Sequence, residues 1–357
     1  MKKAVAFLLV LCAVFALSSG LSRAERTEGL EVYYLDVGQG NAAVVLCGDC
    51  AMMIDGGPAR SSNYVYSFLK SHKISRLDYL VATHNDEDHV GGLSGALNYA
   101  TAGIVLGLDG TPSFRSFSKY LEKQNNHIIV PDAGDVFSLG DATVTVLGPE
   151  RGEVYSKNTS LVLRVEYGET SFLFMGDAET EDEDALLTGG NVPASTVLSV
   201  GHHGSGTSSS DRFLDAVDPE IAVISVGAGN PYGHPHDNIL LRLQDHGAEV
   251  YRTDLNGQIV CRSDGTSVTV TVEKAGDTVR RAVSAEEFAA GSTADGSAGA
   301  DRMAGKVTYV GNANSYKFHL PDCPSVSKMK EENKVFFYGD RSEPVEAGYK
   351  PCGNCRP

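Results

Sequence analysis

The sequence predicts an α/β fold, two mixed sheets covered by helices, followed by a small cysteine-bearing module. Three observations point there. From Leu30 to about Val272, apolar runs of strand length alternate with segments of helical period. Residues 276–305 lose that pattern and turn rich in Ala, Gly, Ser, Asp and Arg, which marks a linker. Residues 306–357 are compact, aromatic and carry three cysteines. A chain of 357 residues has room for one large domain and one small one.

The first element is MKKAVAFLLVLCAVFALSSGLSRA: two lysines, an apolar run from Ala4 to about Leu17, and Ser22-Arg23-Ala24 as a small-x-Ala cleavage pattern. This describes a signal peptide over residues 1–24 and a secreted or cell-surface location, with an uncleaved anchor as the alternative. No other stretch approaches the roughly 20 apolar residues of a membrane helix. Residues 25–275 follow as the main domain. Leu30–Asp36 and Ala42–Leu46 read as strands, with Cys47-Gly48-Asp49-Cys50 a tight turn into the strand Ala51–Ile54. Asn63–Ser71 reads as a helix, Leu77–Thr83 as an apolar strand, and Gly91–Ala100 as a helix again. LVLRVEYG and SFLFMGD pair as a hairpin before a helix through Ala185. TVLSV and IAVISVG are buried strands, Ser210–Ala216 and Ile239–His246 helices, and VYRTD, QIVCRS and SVTVTV close the domain.

Charge limits the partners. The formal net charge is −16, and removing residues 1–24 leaves 27 basic and 46 acidic residues, or −19. Such a chain repels polyanions at long range. Action on nucleic acid therefore needs metal ions or a local basic strip.

The densest chemistry lies in Thr83–Gly92, THNDEDHVGG. The strand before it ends at the cluster, so His84 and Asp86, two apart on an extended edge, face the same way. Asp88 and His89 begin the next helix. Four ligands of two types at a strand end and a helix start can hold two divalent ions with a water ionised near neutral pH. Asp88 acting only as a helix cap is the plainer reading, but a cap does not need histidines on both sides.

HNDEDH is similar to the HxHxDH signature of the metallo-β-lactamase fold, with Asp86 where many members have the second histidine. LDVGQG (35–40), IDGG (54–57), NTSL (158–161), MGD (175–177), VGHHGS (200–205) and YGHPH (232–236) follow in an order that resembles the extracellular hydrolase domain of ComEC-type competence DNA-uptake proteins. The resemblance implies an αββα metallo-β-lactamase sandwich. It also implies that His84 and Asp86 hold one metal, that Asp88 and His89 hold the other, and that Asp177 bridges both. His203 is then the further ligand. His202 faces substrate or supports the ligands, because neighbours on a strand point opposite ways. Asn158 stands where related enzymes carry a third-motif histidine, which makes the donor set richer in oxygen and shifts the balance from Zn²⁺ toward Mn²⁺. Asp36 and Asp55 are expected behind the ligating histidines, orienting them. His236, and less so His234, can hydrogen-bond phosphate or protonate a leaving group, or simply stiffen their loop. Ser205–Ser210 reads mainly as a helix cap.

In the tail, His319-x3-Cys323 and Cys352-x2-Cys355 form two close pairs with the spacing of a closed zinc site. The run resembles the N-terminal zinc module of Ada-type DNA-repair proteins, with His319 in place of the first cysteine, so methyl transfer is not implied. A disulfide among Cys323, Cys352 and Cys355 is the alternative. Cys47 and Cys50 either bridge their hairpin or pack as small side chains; Cys261 reads as core.

These readings lead to a secreted hydrolase with two divalent ions, a phosphodiesterase or nuclease cleaving extracellular DNA by attack of metal-bound hydroxide. Asp88, His202 and His236 carry its chemistry. Cell-wall phosphodiesters, or non-catalytic DNA binding, are the competing readings, and oligomeric state stays open.

Overall fold

The fold is described from a computed structural model over residues 27–108, 115–190, 192, 194–275, 309–312, 317–321, 323–329, 334–337, 350–353 and 355. The signal peptide (1–24) and the linker (276–305) expected from the sequence lie outside these residues. The chain divides into two compact units, Met1–Ala282 and Val283–Pro357.

The strands of the first unit are, in chain order, β1 (Thr27–Tyr34), β2 (Ala43–Gly48), β3 (Cys50–Ile54), β4 (Arg76–Ala82), β5 (Thr101–Gly107), β6 (Ile128–Ile129), β7 (Val136–Leu139), β8 (Ala142–Gly148), β9 (Val162–Tyr167), β10 (Thr170–Phe174), β11 (Val197–Ser199), β12 (Ile221–Ile224), β13 (Glu249–Arg252), β14 (Ile259–Ser263) and β15 (Val268–Val272). They form two sheets, ordered β15-β14-β1-β2-β3-β4-β5-β6 and β13-β12-β11-β10-β9-β8-β7. Helices α1 (Ser62–Ser71), α2 (Glu87–Val90), α3 (Leu93–Tyr99) and α4 (Arg115–Lys123) belong to the first half, and α5 (Thr180–Thr188), α6 (Asp211–Val217), α7 (Asp237–Asp245) and α8 (Thr253–Asn256) to the second.

Strand alternation explains how these pieces stack into four layers. In β1, Leu30, Val32 and Tyr34 enter a core shared with Val144, Val146, Phe172 and Phe174 of the other sheet. The intervening Tyr33, and Leu35 beyond it, join Val65, Phe68, Leu93 and Phe117 beneath the helices of the first half. In β10 the same period sends Phe172 and Phe174 between the sheets and Leu173 toward Leu186, Phe213 and Ile239. Three cores from two two-faced sheets make the αββα sandwich. Each large side chain buried there, such as Phe172, contributes about 1.5–3 kcal/mol.

Two differences from the sequence reading stand out. Glu249–Arg252 does not join the closing strands: it pairs in parallel with β12 at the edge of the second sheet, whereas β14 and β15 continue the first sheet antiparallel beside β1. The crossover through α7 favours the parallel placement. The region 101–148 supplies β5 to β8 and α4, which the apolar pattern did not delimit, because β5 is half exposed over its first four residues and β6 has only two.

Cys47 and Cys50 are opposite each other in the β2–β3 hairpin as free thiols, Cys47 inside the core between the sheets. Cys261 is fully buried. In the second unit, β16 (Tyr309–Asn312), β17 (Lys317–His319), β18 (Lys334–Phe337) and β19 (Lys350–Pro351) form a sheet ordered β18-β16-β17-β19.

Candidate metal centre and active site

The centre gathers where parallel strands of both sheets end. β3 and β4 run parallel, as do β10, β11 and β12. Loops leaving such carboxyl ends converge, and that is where open α/β sheets place their ligands. Asp55 follows β3, His84 follows β4, Asp177 follows β10, and His202 and His203 follow β11.

Backbone packing fixes the segment that carries Asp88 and His89. Gly56 N–H donates to the His89 carbonyl at 2.7 Å, Gly92 N–H to the Gly57 carbonyl at 2.7 Å, and Asn41 N–H to the Asp88 carbonyl at 3.1 Å. A Cβ on Gly92 would lie 1.8 Å from the Gly56 oxygen, and one on Gly40 would lie 2.3 Å from the Asp88 oxygen. The glycines of LDVGQG, IDGG and HVGG thus let three loops clamp α2. Asp86, not Asp88, is the residue that precedes α2, and it makes no side-chain cap. The helix-cap reading of Asp88 is therefore set aside.

His89 is fully buried and held from behind. Its Nδ1 lies 2.8 Å from Asp55 Oδ2, and Asp55 is itself fixed by the Thr83 N–H at 2.8 Å and the Thr83 hydroxyl at 2.5 Å. His203 Nδ1 donates to the Ser225 carbonyl at 2.9 Å, and His84 Nδ1 to the Thr159 carbonyl at 3.2 Å. In each case the second-nitrogen partner turns Nε2 inward, as a ligating imidazole requires. His89 Nε2 lies 3.0 Å and His203 Nε2 3.5 Å from Asp177 Oδ1, and His203 Nε2 lies 3.3 Å from Asp88 Oδ2. Donor atoms of Asp88, His89 and His203 all fall within 4.8 Å of one another.

Electrostatics mirror this geometry. Burial alone would push the His89 imidazole down, but the Asp177 and Asp55 carboxylates overcome it and hold the ring well above its ordinary range. Burial would likewise raise Asp177, yet His89 and His203 hold it well below the usual carboxylate range. The decisive test is hydrogen bonding. His89 Nε2, His203 Nε2 and Asp177 Oδ1 are buried without a hydrogen-bond partner among the described residues. Buried orphans cost about 1–3 kcal/mol each, and three of them converging fit a divalent cation.

His84 and Asp86 stand together at 3.6 Å, Nε2 to Oδ2, outside that compact set, with the His84 and His89 rings 5.6 Å apart. His202 departs from the strand argument. β11 ends at Ser199, and His202 and His203 both lie in a left-handed turn at φ 49° and 55°. Strand alternation does not govern them, and both rings face Asp177, His202 Nε2 at 3.9 Å from Oδ2. Asp36 corrects the expectation of a carboxylate behind a histidine: its side chain is engaged by the Gly38 N–H at 3.3 Å and by Lys274 Nζ at 3.4 Å. Asn158 is buried, and its Nδ2 has no partner among the described residues. His236 Nδ1 accepts from the Gly206 N–H at 2.8 Å, which leaves the proton on Nε2. His234 packs between His236 and His202, at 4.9 and 5.6 Å between ring centres. Burial, then repulsion from its neighbouring histidines, lowers it to about 4, so it is neutral at pH 7. Ser210 caps α6 by accepting from the Phe213 N–H.

Sequence reasoning missed Glu179. Its Oε1 lies 3.4 Å from His202 Nδ1 and accepts the Thr207 hydroxyl at 2.8 Å, while its residue caps α5 in a capping box with Asp182. The signal was present in Met175-Gly176-Asp177-Ala178-Glu179, but the acidic run that follows hid it as ordinary helix surface.

In the second unit, His319, Cys323, Cys352 and Cys355 bring their donor atoms within 4.8 Å of one another, His319 Nδ1 being 3.4 Å from Cys323 Sγ. The cysteines are free thiols, and four soft donors around one point fit a closed metal site.

Residues 35–228 match the metallo-beta-lactamase superfamily. Over 254 residues the chain is 34% identical to ComE operon protein 3 of Bacillus subtilis (strain 168), covering 65% of this chain and 33% of that protein. Over 228 residues it is 35% identical to Competence protein ComA of Neisseria gonorrhoeae, covering 63% and 31%. The chain thus spans about a third of the length of these curated relatives. Among solved structures, the metallo-beta-lactamase fold protein YhfI from Bacillus subtilis aligns with a TM-score of 0.45 at 16% identity, over 62% of this chain and 96% of that one.

Proposed function

Because the chain belongs to the metallo-β-lactamase superfamily, whose members are metal-dependent hydrolases, we propose that it is a secreted phosphodiesterase that uses two divalent cations to cleave DNA. The observation that carries this reading is the convergence of His89 Nε2, His203 Nε2 and Asp177 Oδ1, three buried orphan atoms, beside Asp88. Asp88, His89, His203 and Asp177 would hold the first cation. His84 and Asp86, which stand together at 3.6 Å, would hold the other. Such cations supply positive charge against phosphoryl oxygens and a nucleophile at neutral pH. The donor set contains as many carboxylates as imidazoles, which suits Mn²⁺ as well as Zn²⁺.

The protein's own residues do the rest. Asp55 and the Ser225 carbonyl hold two imidazoles in the ligating tautomer, and Glu179 Oε1 lies 3.4 Å from His202 Nδ1, on the side of the ring away from Asp177. His202 and His236 present N–H groups toward a leaving oxygen. Relatives named for competence support a nucleic-acid substrate. Among the described residues no helix is long and apolar enough to cross a membrane, and export rests on the signal-peptide pattern of residues 1–24. In the second unit His319, Cys323, Cys352 and Cys355 would hold a structural Zn²⁺.

The test is incubation of residues 25–357 with single- and double-stranded DNA plus Mn²⁺ or Zn²⁺, beside an Asp177→Ala control. Metal-dependent cleavage absent from the control is the expected result. Hydrolysis of bis(p-nitrophenyl) phosphate without cleavage of DNA would move the substrate to cell-wall phosphodiesters.

A further inference from the structure

The loop joining β12 to α7 carries an aromatic ring that the hydrolytic centre does not use. Tyr232 is 63% exposed, and its ring stacks on the His234 imidazole at 5.6 Å between centres and 29° between planes. The loop beneath it is well tied. Asn230 Nδ2 donates to the Gly227 and His234 carbonyls at 3.0 and 2.6 Å, and its Oδ1 accepts from the Tyr232 and His234 N–H groups at 3.1 Å each. One side chain therefore sets the path of the loop before anything binds, which lowers the ordering cost of a contact made there.

Tyr232 lines a cavity of about 700 Å³ that runs to Asp86 and Asp88 at the metal centre and also contains Arg60. Arg60 is exposed and makes no ion pair with a described residue, although Glu87 lies in the same wall. Beyond Asp86 a second cavity of about 520 Å³ opens on the His84 side, with Lys157 in its lining along with Glu150 and Glu153. The centre is thus open in two directions. A small phosphodiester would fill neither arm, whereas an extended strand would occupy both.

We propose that Tyr232 is a stacking platform for an unpaired base of the substrate strand, with Arg60 beside it meeting the neighbouring phosphate, so that this loop sets preference for single-stranded polymer. The inference rests on the phosphodiesterase reading above. An aromatic face stacks any base without reading its edge, and a guanidinium near the backbone adds charge in an otherwise acidic chain. A duplex hides its base faces, so the platform favours unpaired segments. Tyr232 is here a specificity determinant; it touches no reacting atom.

The experiment compares wild type, Tyr232→Ala and Tyr232→Phe in two measurements. The first is kcat/KM on a single-stranded decanucleotide relative to bis(p-nitrophenyl) phosphate; the second is binding of the same oligonucleotide by fluorescence anisotropy. Tyr232→Ala is expected to lower the ratio and weaken binding by about tenfold, and Tyr232→Phe to stay near wild type. Parallel loss on both substrates would overturn the platform, since the ring would then act through His234 on the chemistry. An unaltered ratio with unaltered binding would overturn it as well. If wild type hydrolyses neither compound, the phosphodiesterase reading falls, and the anisotropy decides alone: weaker binding by Tyr232→Ala supports the platform, equal binding refutes it.

Discussion

Asp55 Oδ2 meets His89 Nδ1 at 2.8 Å, with both groups almost wholly buried. The contact fixes which nitrogen of His89 faces the centre, and Thr83 keeps the carboxylate from swinging away. Replacing Asp55 with Asn removes the anion and leaves the geometry ambiguous. Metal affinity is expected to fall by about 10–100-fold, as measured by calorimetric titration. Equal affinity would mean that His89 is oriented by something else.

Asp177 and Asp88 are the carboxylates that face the Nε2 atoms of His89 and His203. Asp177→Ala and Asp88→Ala should each lower hydrolysis by more than about 100-fold and reduce bound metal, with unchanged circular dichroism. Full activity in either variant would sink the metal mechanism.

Removing the cations should also be visible as lost stability. At a free metal concentration of 100 times Kd, binding stabilises the folded state by about 2.7 kcal/mol, so chelation should lower Tm by roughly 5–10 °C. Calorimetric scans with and without chelator check this, and coincident transitions would argue against a site that binds only the folded chain.

Gly92 has no room for a side chain, since the Gly56 carbonyl occupies the place of its Cβ. Gly92→Ala must push α2 away from the IDGG loop and is expected to cost about 1–3 kcal/mol in urea denaturation, with weaker metal binding. A variant as stable as wild type would show that the loops do not clamp the helix.

Glu179 joins a stability role to a positioning one. Glu179→Ala loses the cap of α5, worth about 1 kcal/mol, and frees His202. The expected drop in kcat is about tenfold, smaller than loss of a general acid itself. Glu179→Gln, which can still accept the Thr207 hydroxyl, should recover part of it. Loss of stability with no change in kcat would leave only the capping role.

The sequence by itself determined the layered fold and the residue types gathered at the centre. Period-two apolar patterning in strands such as Leu30–Tyr34 states which faces are buried, and His and Asp types in THNDEDHVGG state what they can bind, because both are local properties of the chain. The glycines of LDVGQG and IDGG were legible as motifs, and Gly56 and Gly57 as places of close backbone approach, but what approaches was not: the atoms that exclude a Cβ at Gly56 belong to Gly92 and Leu93, distant in sequence. Only tertiary structure separated Asp55 from Asp36, two similar acids after strands, one behind His89 and the other against Lys274. It alone turned His202 and His203 toward the same carboxylate, because a left-handed turn, and not strand alternation, sets their direction. Residue type fixes what a group can do; the convergence of strand ends from two sheets decides which groups meet.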